Sequence, residues 1–374
     1  MSESFETWLA DQAAERERQG LTRSLHDADR GRRMIDLAGN DYLGLARDPR
    51  VVSAAMKAAE TSGAGAGASR LVSGTLSLHT ELENDLADFT GFPTALVTST
   101  GYHANLSVVT ALADPDTLIV SDAHIHASLV DACRLSRGQV RVIPHHDVAT
   151  VEELLASRSQ TRAIVLAESI YSVLGDAAPL VDLAEVTVRH DALLVVDEAH
   201  GLGVAGPGGR GLLAGTGLAG RPDIVATGTL SKSLGAQGGV VLASAAVRDH
   251  LVNRARPFIY ETGLAPAAAG AASAALGVLR GDPTLPERVH LCAAVLAEAC
   301  GVTPPDGAVL SVEMPGPREA LAAVLEAAKQ GVRIGCFRPP STPDGISRLR
   351  LTAHAGISAD DLELAVDVLR VIVP

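Results

Sequence analysis

Between residues 94 and 245, short apolar runs alternate with stretches of helical spacing. The seven runs, in chain order, are TALVTS, TLIVSD, VRVIPH, AIVLAES, ALLVVDEAH, DIVATG and GGVVLAS. Apolar residues fill both alternating positions of most runs, which predicts strands buried on both faces. Such strands alternate with helices in α/β proteins, where the helices cover a mainly parallel sheet. We therefore predict a large α/β domain built on a mainly parallel, seven-stranded sheet.

The C-terminal third has a different pattern. The alternation stops between residues 245 and 265, and a long Ala/Leu-rich helical stretch precedes three further strand-like runs, AVLSVEM, VRIGCF and RLRLTA. This order predicts a smaller α+β domain. With 374 residues, the chain is longer than one hydrophobic core usually serves. We expect an N-terminal helix and arm over residues 1–45, the large domain over 46–250 and the small domain over 251–374.

Composition excludes some classes of function. A formal net charge of -13 argues against a nucleic-acid or anionic-membrane partner, because either would require a basic face. No run approaches the ~18 uninterrupted apolar residues of a membrane span. The first residues lack the apolar segment of a secretory signal, and the four cysteines include no CxxC pair. We expect a cytoplasmic protein with reduced thiols and no metal site.

Lysine is rare in this sequence, which contains only Lys57, Lys232 and Lys329. Lys57 and Lys329 lie off the apolar stripes of predicted helices, as solvated lysines do. Lys232 follows the run DIVATG, in the segment TGTLSKSLGAQGG, whose glycines allow the backbone to approach a ligand closely. This segment alone supports a surface-loop lysine and a reactive lysine about equally.

Acidic and histidine residues favour a reactive lysine. Asp197 ends a Leu/Val run, His200 follows three residues later, and His126 precedes a predicted helix after another strand. Ligands of open α/β sheets bind at the carboxyl ends of the strands, where these residues, Lys232 and the segment TGYHAN all fall. Pyridoxal phosphate is bound by three such groups. A lysine forms a Schiff base with it, an aspartate pairs with its pyridinium nitrogen, and a helix N-terminus binds its phosphate.

Two nucleotide-binding motifs are excluded by their context. VVDEAH (195–200) is similar to a helicase motif, but no lysine follows a glycine, so no GxxxxGK[ST] phosphate loop exists. GLGVAG (201–206) fits GxGxxG, yet DEAH separates it from the preceding strand and GPGGRG after it does not begin a helix. A dinucleotide site is therefore not predicted.

The chain resembles the α-oxoamine synthases, which are fold-type I pyridoxal-phosphate enzymes. The resemblance covers nearly the whole chain through NDYLGLA, GAGASRLVSGTLSLHTELE, TGYHAN, HASL, AESIYSVLGDAAPL, VDEAHGLGVAGPGGRG, TGTLSKSLGAQGG, RPFIYETGLAP and FRPPSTPDGISRLRLT. It implies the fold-type I transferase fold, pyridoxal 5'-phosphate as cofactor, and a homodimer with its active site between subunits. Glu261, in IYETG, departs from the family, which has a small hydroxyl residue there.

The resemblance also implies residue roles. Lys232 would bond to the cofactor and carry the proton, Asp197 would pair with the ring nitrogen, His200 with the phenolic oxygen, and His126 would stack on the ring. The phosphate side and cofactor rim would consist of Thr100, Gly101, Tyr102, Thr229 and Ser172. The substrate would contact Arg350 through its carboxylate, and His126, Arg23, Asn40, Thr262 and Ser341 along the channel.

Two arginines share one face of the last predicted strand. Period-2 alternation in SRLRLT places Arg348 and Arg350 together. The family's carboxylate-binding position corresponds to Arg350. For Arg348, a surface charge and a role in the site are about equally supported.

The implied reaction is a decarboxylative condensation of an amino acid with an acyl thioester. Within the family, the chain is most similar to the members that condense L-alanine with a pimeloyl thioester in biotin synthesis. This similarity rests chiefly on the segment FRPP followed by RLRLT. Members that use glycine with acetyl or succinyl thioesters, or serine with palmitoyl thioester, stay open because one methylene discriminates by only ~1–3 kcal/mol. Coenzyme A and an acyl carrier protein are both possible carriers. A catalytically inactive binding protein is disfavoured because the lysine, aspartate and both histidines are present.

Overall fold

The computed structural model describes residues 2–25 and 33–373. The N-terminal part contains α1 (Glu3–Arg18), β1 (Ile35–Asp36), α2 (Pro49–Ser62) and α3 (Ser77–Thr90). The predicted N-terminal helix is thus present as α1, whereas the segment 26–32 of the predicted arm lies outside the described residues.

The central part alternates strands and helices, as the hydrophobic pattern predicts. In chain order it consists of β2 (Thr94–Thr98), α4 (Gly101–Leu112), β3 (Thr117–Asp122), α5 (Ala127–Ser136), β4 (Gln139–Ile143), α6 (Val148–Ser157), β5 (Arg162–Glu168), α7 (Leu180–Arg189), β6 (Leu193–Asp197), α8 (Leu212–Gly215), β7 (Ile224–Thr229) and β8 (Gly239–Ala243).

The C-terminal part is mostly helical and adds short strands. It contains α9 (Ala245–Arg254), α10 (Arg256–Ile259), α11 (Pro266–Gly281), α12 (Leu285–Cys300), β9 (Val309–Glu313), α13 (Pro317–Lys329), β10 (Val332–Arg333), β11 (Gly335–Phe337), β12 (Arg348–Thr352) and α14 (Ala359–Ile372). Among the residues described, no helix is long and apolar enough to cross a membrane.

The central strands form one seven-stranded sheet in the order β2-β8-β7-β6-β5-β3-β4. Only β8 runs antiparallel to its neighbours, so the carboxyl ends of the other six strands meet at one edge. This confirms the predicted α/β class with a mainly parallel sheet. The ends of β2, β3, β5, β6 and β7 bring their following loops together at that edge.

The sheet has a hydrophobic core on each face. On β6, Leu194 and Val196 pack into one core while Val195 packs into the other, as expected for side chains that alternate between two buried faces. The edge strand β4 differs from this pattern, because Val142 is 67% exposed. The apolar sequence of β4 did not reveal that, within the described part of the chain, β4 is the edge strand of the sheet.

The C-terminal run VRIGCF, predicted as one strand, is divided between two sheets. β10 pairs in parallel with β1, whereas β11 pairs antiparallel with β12. The three-stranded sheet has the order β11-β12-β9. The two halves of the run separate because their pairing partners come from opposite ends of the chain.

Candidate active site

A cavity of about 180 Å³ lies at the carboxyl edge of the large sheet. Eight of the predicted site residues line it: Thr100, Gly101, Tyr102, His126, Asp197, His200, Thr229 and Lys232. The end of β6 supplies Asp197, and the turn after β7 supplies Lys232. Residues far apart in sequence meet here because parallel strands end at the same edge.

Lys232 projects its amine into contact with a histidine. Its Nζ lies 2.7 Å from His200 Nε2. Burial lowers the pKa of Lys232 to about 8, although Asp197 and Glu168 act in the opposite direction. An amine with this pKa is a better nucleophile and base near neutral pH than an ordinary lysine.

His200 connects Lys232 to the other side of the site. Burial and the nearby charges of Lys232 and Arg350 hold the pKa of His200 well below its usual range, so the ring is neutral. Its Nδ1 lies 2.8 Å from the Tyr42 hydroxyl, which donates to Asn40 Oδ1 at 3.0 Å. Tyr42 thus accepts from Nδ1, which leaves Nε2 as the acceptor for the lysine amine.

Asn40 completes a chain of hydrogen bonds from Lys232 to Arg350. Its Oδ1 accepts from Nη1 and Nη2 of Arg350, both at 3.3 Å. Burial raises the pKa of Tyr42 to about 12, so the phenol in the middle of the chain stays protonated. The amine and the guanidinium are therefore held in a fixed relation by neutral groups.

Asp197 is buried and held from two sides. Its Oδ2 accepts from Asn105 Nδ2 at 2.7 Å, and its Oδ1 accepts from the backbone N–H of Ala199 at 2.9 Å. Asn105 also donates to Ser128 Oγ at 2.8 Å. These contacts fix the orientation of the carboxylate in the cavity wall.

Glu168 lies beside Asp197 on the neighbouring strand, in register with it. Burial and then the charge of Asp197 raise the pKa of Glu168 to about 8. Its Oε2 accepts from the Ser172 N–H at 2.9 Å, whereas its buried Oε1 has no hydrogen-bond partner among the described residues. Glu168 therefore binds a proton more readily than an ordinary glutamate does.

The N-terminus of α4 opens onto the cavity. Thr100 caps this helix by accepting from the His103 N–H at 3.1 Å. A Cβ at Gly101 would lie 3.0 Å from Thr229 Cβ, so glycine permits this close approach. Thr229 Oγ1 lies 2.6 Å from Ser231 Oγ. Hydroxyls beside a helix N-terminus are the groups that bind a phosphate.

His126 is the N-cap residue of α5. Its Nδ1 lies 2.7 Å from Ser128 Oγ and accepts from the Ser128 N–H at 3.2 Å. Burial lowers the pKa of His126, and the charge of Asp197 opposes that shift. A neutral ring is therefore held at the cavity wall, linked through Ser128 and Asn105 to Asp197.

The two arginines of β12 have different partners. Arg348 forms ion pairs with Asp344 at 2.6 Å and Glu313 at 3.3 Å. Arg350 donates through Nε to the Ser172 carbonyl at 2.6 Å and forms no ion pair with a carboxylate of the described residues. Its positive charge is consequently available to a bound anion.

The remaining predicted residues lie outside the cavity lining. Ser172 contacts Glu168 and Arg350 through its backbone. Arg23 donates to Ser341 Oγ at 3.3 Å, and Thr262 pairs with Ser69 in an isolated bridge. The structure therefore brings Arg23 and Ser341 together, but neither residue lines the Lys232 cavity.

Glu261 is joined to the start of α4. Its Oε2 lies 2.5 Å from both Ser99 Oγ and His103 Nδ1, and its Oε1 accepts from the Ser99 N–H at 3.2 Å. Ser99 directly precedes the cap residue Thr100. The Glu261 carboxylate thus links the segment after α10 to the N-terminus of α4, at the edge of the cavity.

Sequence reasoning missed three residues of the site. Tyr42 and Asn105 occur in the segments NDYLGLA and TGYHAN, and Glu168 is the last residue but one of the run AIVLAES. Asn105 lies one helical turn after Gly101, so helical spacing could have identified it. Glu168 ends an apolar strand as Asp197 does, and the same signal applies to it.

The cavity residues fit pyridoxal phosphate. The amine of Lys232 matches the aldehyde of the cofactor, and the fixed carboxylate of Asp197 matches its pyridinium nitrogen. The N-terminus of α4, with its neighbouring hydroxyls, matches the phosphate. Glycine at position 101 lets the first turn of α4 pack closely against Thr229, whose hydroxyl then lies beside the helix N-terminus. The His126 side chain and the buried Oε1 of Glu168, which has no hydrogen-bond partner among the described residues, provide further groups in the lining of the same cavity.

This fold and site define a pyridoxal-phosphate enzyme, and the chain belongs to the aminotransferase class I and II family, whose model matches residues 32–369. An 8-amino-7-oxononanoate synthase of Mycobacterium sp. (strain KMS) is 56% identical over 363 residues, which cover 97% of this chain and 95% of the relative. That of Mycobacterium tuberculosis (strain ATCC 25177 / H37Ra) is 53% identical, over 97% of this chain and 94% of the relative. Within its class, the chain therefore belongs with the 8-amino-7-oxononanoate synthases.

Solved structures have the same fold. A serine palmitoyltransferase from S. paucimobilis, bound to a PLP–myriocin aldimine, superposes with a TM-score of 0.91 at 28% identity and covers 99% of this chain and 97% of its own. An 8-amino-7-oxononanoate synthase from Francisella tularensis superposes with a TM-score of 0.77 at 24% identity, over 90% of this chain and 97% of its own. Together with the predicted resemblance, these similarities confirm the fold-type I class.

Proposed function

We propose that this chain condenses L-alanine with a pimeloyl thioester to give 8-amino-7-oxononanoate, carbon dioxide and the free thiol of coenzyme A or an acyl carrier protein. The observation that carries the proposal is the position of Lys232, in one cavity with Asp197 and the N-terminus of α4. Relatives more than 50% identical over nearly the whole chain carry the same name, which supports the choice of substrates.

Each residue has a separate task in this proposal. When bound, pyridoxal phosphate supplies a conjugated system that stabilises negative charge at the α-carbon of the amino acid. Lys232 would hold the cofactor through its amine and would also move the α-proton of the amino acid. Asp197 keeps the ring nitrogen protonated, while His200 and His126 orient the ring. Thr100, Gly101, Tyr102 and Thr229 bind the phosphate.

Arg350 binds the carboxylate of the amino acid. Its guanidinium is buried, fixed by neutral oxygens of Ser172 and Asn40, and close enough to Lys232 to affect the pKa of the amine. A planar guanidinium can bind a carboxylate through two parallel hydrogen bonds. This contact would orient the α-proton towards Lys232.

We also propose a cytoplasmic homodimer with the site at the subunit interface. Arg23, Asn40, Thr262 and Ser341 would line the substrate channel, and Ser172 the cofactor rim. Thr262 is exposed and lies outside the Lys232 cavity of its own chain, which is consistent with a role in the partner's site. The domain boundaries near residues 45 and 250 belong to the same proposal.

A second function is serine palmitoyl transfer. The TM-score of 0.91 to a serine palmitoyltransferase favours it as an alternative within the same chemistry. The identity of 28% to that protein, against 56% to the synthase, makes it the weaker candidate.

Turnover of a substrate matrix separates these functions. L-alanine, glycine and L-serine would each be supplied with acetyl, succinyl, pimeloyl and palmitoyl thioesters, and the amino ketone identified by mass spectrometry. We expect the highest kcat/KM for L-alanine with pimeloyl thioester, no product from Lys232→Ala, and normal turnover in Lys329→Ala. A higher kcat/KM for serine with palmitoyl thioester would replace the first proposal by the second.

A further inference from the structure

A second group of polar side chains lies beyond the ends of β3 and β4. His145 and His146 follow β4 after one intervening residue, Asp122 ends β3, and Asp176 lies in the loop that closes at the bridge between Ile170 and Ala177. None of these residues lines the Lys232 cavity. The group therefore has no part in the chemistry proposed above.

His145 is held between two carboxylates. Its Nδ1 lies 3.0 and 3.1 Å from the two oxygens of Asp122, and its Nε2 lies 2.9 Å from Asp176 Oδ2. A carboxylate on one ring nitrogen fixes the tautomer and directs the other nitrogen, as it does for histidines that bind metal ions. The Nε2 of His145 is accordingly directed towards Asp176.

His146 directs a second nitrogen to the same point. Its ring stacks on that of His145, with centroids 3.8 Å apart. Its backbone adopts a left-handed φ of 61°, a conformation uncommon for a residue other than glycine. Its Nε2 lies 3.7 Å from Asp176 Oδ2, which is too long for a hydrogen bond.

Two buried atoms in this group have no hydrogen-bond partner among the described residues. They are Nε2 of His146 and Oδ1 of Asp176. A buried polar atom without a partner costs about 1–3 kcal/mol. Asp176 Oδ1 has a free electron pair, and so does His146 Nε2 when the ring proton is on Nδ1. A cation can accept both pairs, and also that of His145 Nε2 once this nitrogen has released its proton.

We propose that His145 Nε2, His146 Nε2 and a carboxylate oxygen of Asp176 bind one divalent transition-metal ion, and that Zn²⁺ fits this set best. The three ligand atoms lie within 4.8 Å of one another. Zinc bonds of ~2.0–2.2 Å require ligand atoms slightly closer than that, within reach of small side-chain movements. Two imidazoles with a carboxylate are a zinc ligand set that leaves a fourth position for water.

The ion competes with a proton for His145. Burial lowers the pKa of this histidine, but its hydrogen bonds to Asp122 and Asp176 outweigh that effect and raise the pKa to about 9. Binding through Nε2 releases this proton to solvent, and Asp176 then contacts the ion in its place. The affinity is consequently lower than that of a site with neutral histidines.

A bound ion would join two loops of the large domain. His145 and His146 follow β4, whereas Asp176 belongs to the loop whose Ser172 carbonyl holds Arg350. The ion would fix this loop against the end of the edge strand. Its role is therefore structural, and its removal is expected to lower thermal stability.

Zinc binding to the holoenzyme tests the proposal. Chelator-treated, dialysed holoenzyme would be equilibrated with ZnCl₂, and bound metal and melting temperature measured. We expect one Zn²⁺ per chain and a raised melting temperature. His146→Asn removes one ligand with a residue that tolerates left-handed φ, and should weaken binding at least tenfold and abolish the melting shift. Asp176→Asn should have the same effect on binding.

His190→Asn provides the matched control. His190 Nε2 lies 3.6 Å from Glu152 Oε1, almost the separation of His146 and Asp176, but this pair belongs to no group of three possible metal ligands among the described residues. This variant should bind zinc as the unmodified protein does. Absence of stoichiometric binding to the unmodified protein would overturn the proposal. So would equal binding in His146→Asn and Asp176→Asn, because the ion would then be held elsewhere, for example by Cys336.

Discussion

Replacing Asp197 by asparagine removes one negative charge and keeps the size of the side chain. The amide cannot accept from both Asn105 and the Ala199 N–H, and it cannot neutralise a protonated ring nitrogen. A hydrogen bond to a charged group contributes about 1.5–3 kcal/mol. We expect kcat to fall by ~10–150-fold, with a smaller loss of cofactor affinity and unchanged circular dichroism.

The control for this variant is Asp249→Asn, because Asp249 is largely exposed. It should retain normal kcat and cofactor affinity in the same assays. Near-normal turnover in Asp197→Asn would show that the carboxylate is structural.

Arg350 and Arg348 make a matched pair on one strand. Arg350→Lys keeps the charge but loses the planar guanidinium, so a two-point contact to a carboxylate is lost. We expect the apparent dissociation constant for L-alanine, measured by spectral titration of the holoenzyme, to rise at least tenfold, equivalent to about 1.4 kcal/mol.

Arg348→Lys should change that constant much less, because Arg348 is already paired with Asp344 and Glu313. Its effect should appear in the melting temperature instead. Equal small effects on L-alanine binding would remove Arg350 from the carboxylate site, and a reversed order would assign the contact to Arg348.

At the residue scale, the sequence predicted those groups whose position follows from the strand pattern. Lys232, Asp197 and His126 each follow or end a strand that the hydrophobic runs reveal, so their shared edge could be predicted. Tyr42 could not be, because its contact with His200 joins residues 158 positions apart and no local periodicity records it. The ion pair between Arg348 and Asp344 could not be predicted either, because it depends on the conformation of the loop between β11 and β12.

Among the elements, the long central strands could be predicted and the short peripheral ones could not. A run such as ALLVVD is apolar at both alternating positions because both faces of β6 are buried. β1 and β10 have two residues each, too few for periodicity, and exist only through their pairing with each other. The division of VRIGCF between β10 and β11 depends on the same distant partner.

The link between Glu261 and the start of α4 should affect cofactor binding. Glu261→Gln places an amide where Ser99 Oγ and His103 Nδ1 now meet one carboxylate, and loses a charge-assisted contact. We expect the dissociation constant for pyridoxal phosphate, measured by equilibrium dialysis, to rise by about 5–10-fold, as for the loss of ~1–1.4 kcal/mol.

The exposed Glu287, at the start of α12, provides a control through Glu287→Gln, which should leave cofactor affinity unchanged. If Glu261→Gln also left it unchanged, the link would be a surface contact without influence on the phosphate end.

For the whole molecule, two exposed apolar side chains support the proposed homodimer. Val72 is 80% exposed and Tyr260 is 71% exposed. Their segments are joined by the bridge between Ser69 and Thr262. Exposed apolar groups on adjoining segments commonly mark protein interfaces. We expect sedimentation to give twice the chain mass, and Val72→Asp to shift the protein towards monomer with loss of turnover.

Val371→Asp introduces the same charge at a valine of similar exposure, 71%, near the end of α14. It should leave both the sedimentation coefficient and the turnover unchanged. A monomeric, fully active unmodified protein would contradict the proposed dimer.

The scarcity of lysine has a consequence for how the cofactor reaches its site. Pyridoxal phosphate is an aldehyde, and any unprotonated amine on a protein surface competes for it. Burial lowers the pKa of Lys232 to about 8 from 10.5, so its free-amine fraction near neutral pH exceeds that of an ordinary lysine by roughly 300-fold. Only Lys57 and Lys329 offer other side-chain amines. Loading with a stoichiometric amount of cofactor should therefore favour Lys232 over the other two lysines even before the phosphate contacts contribute.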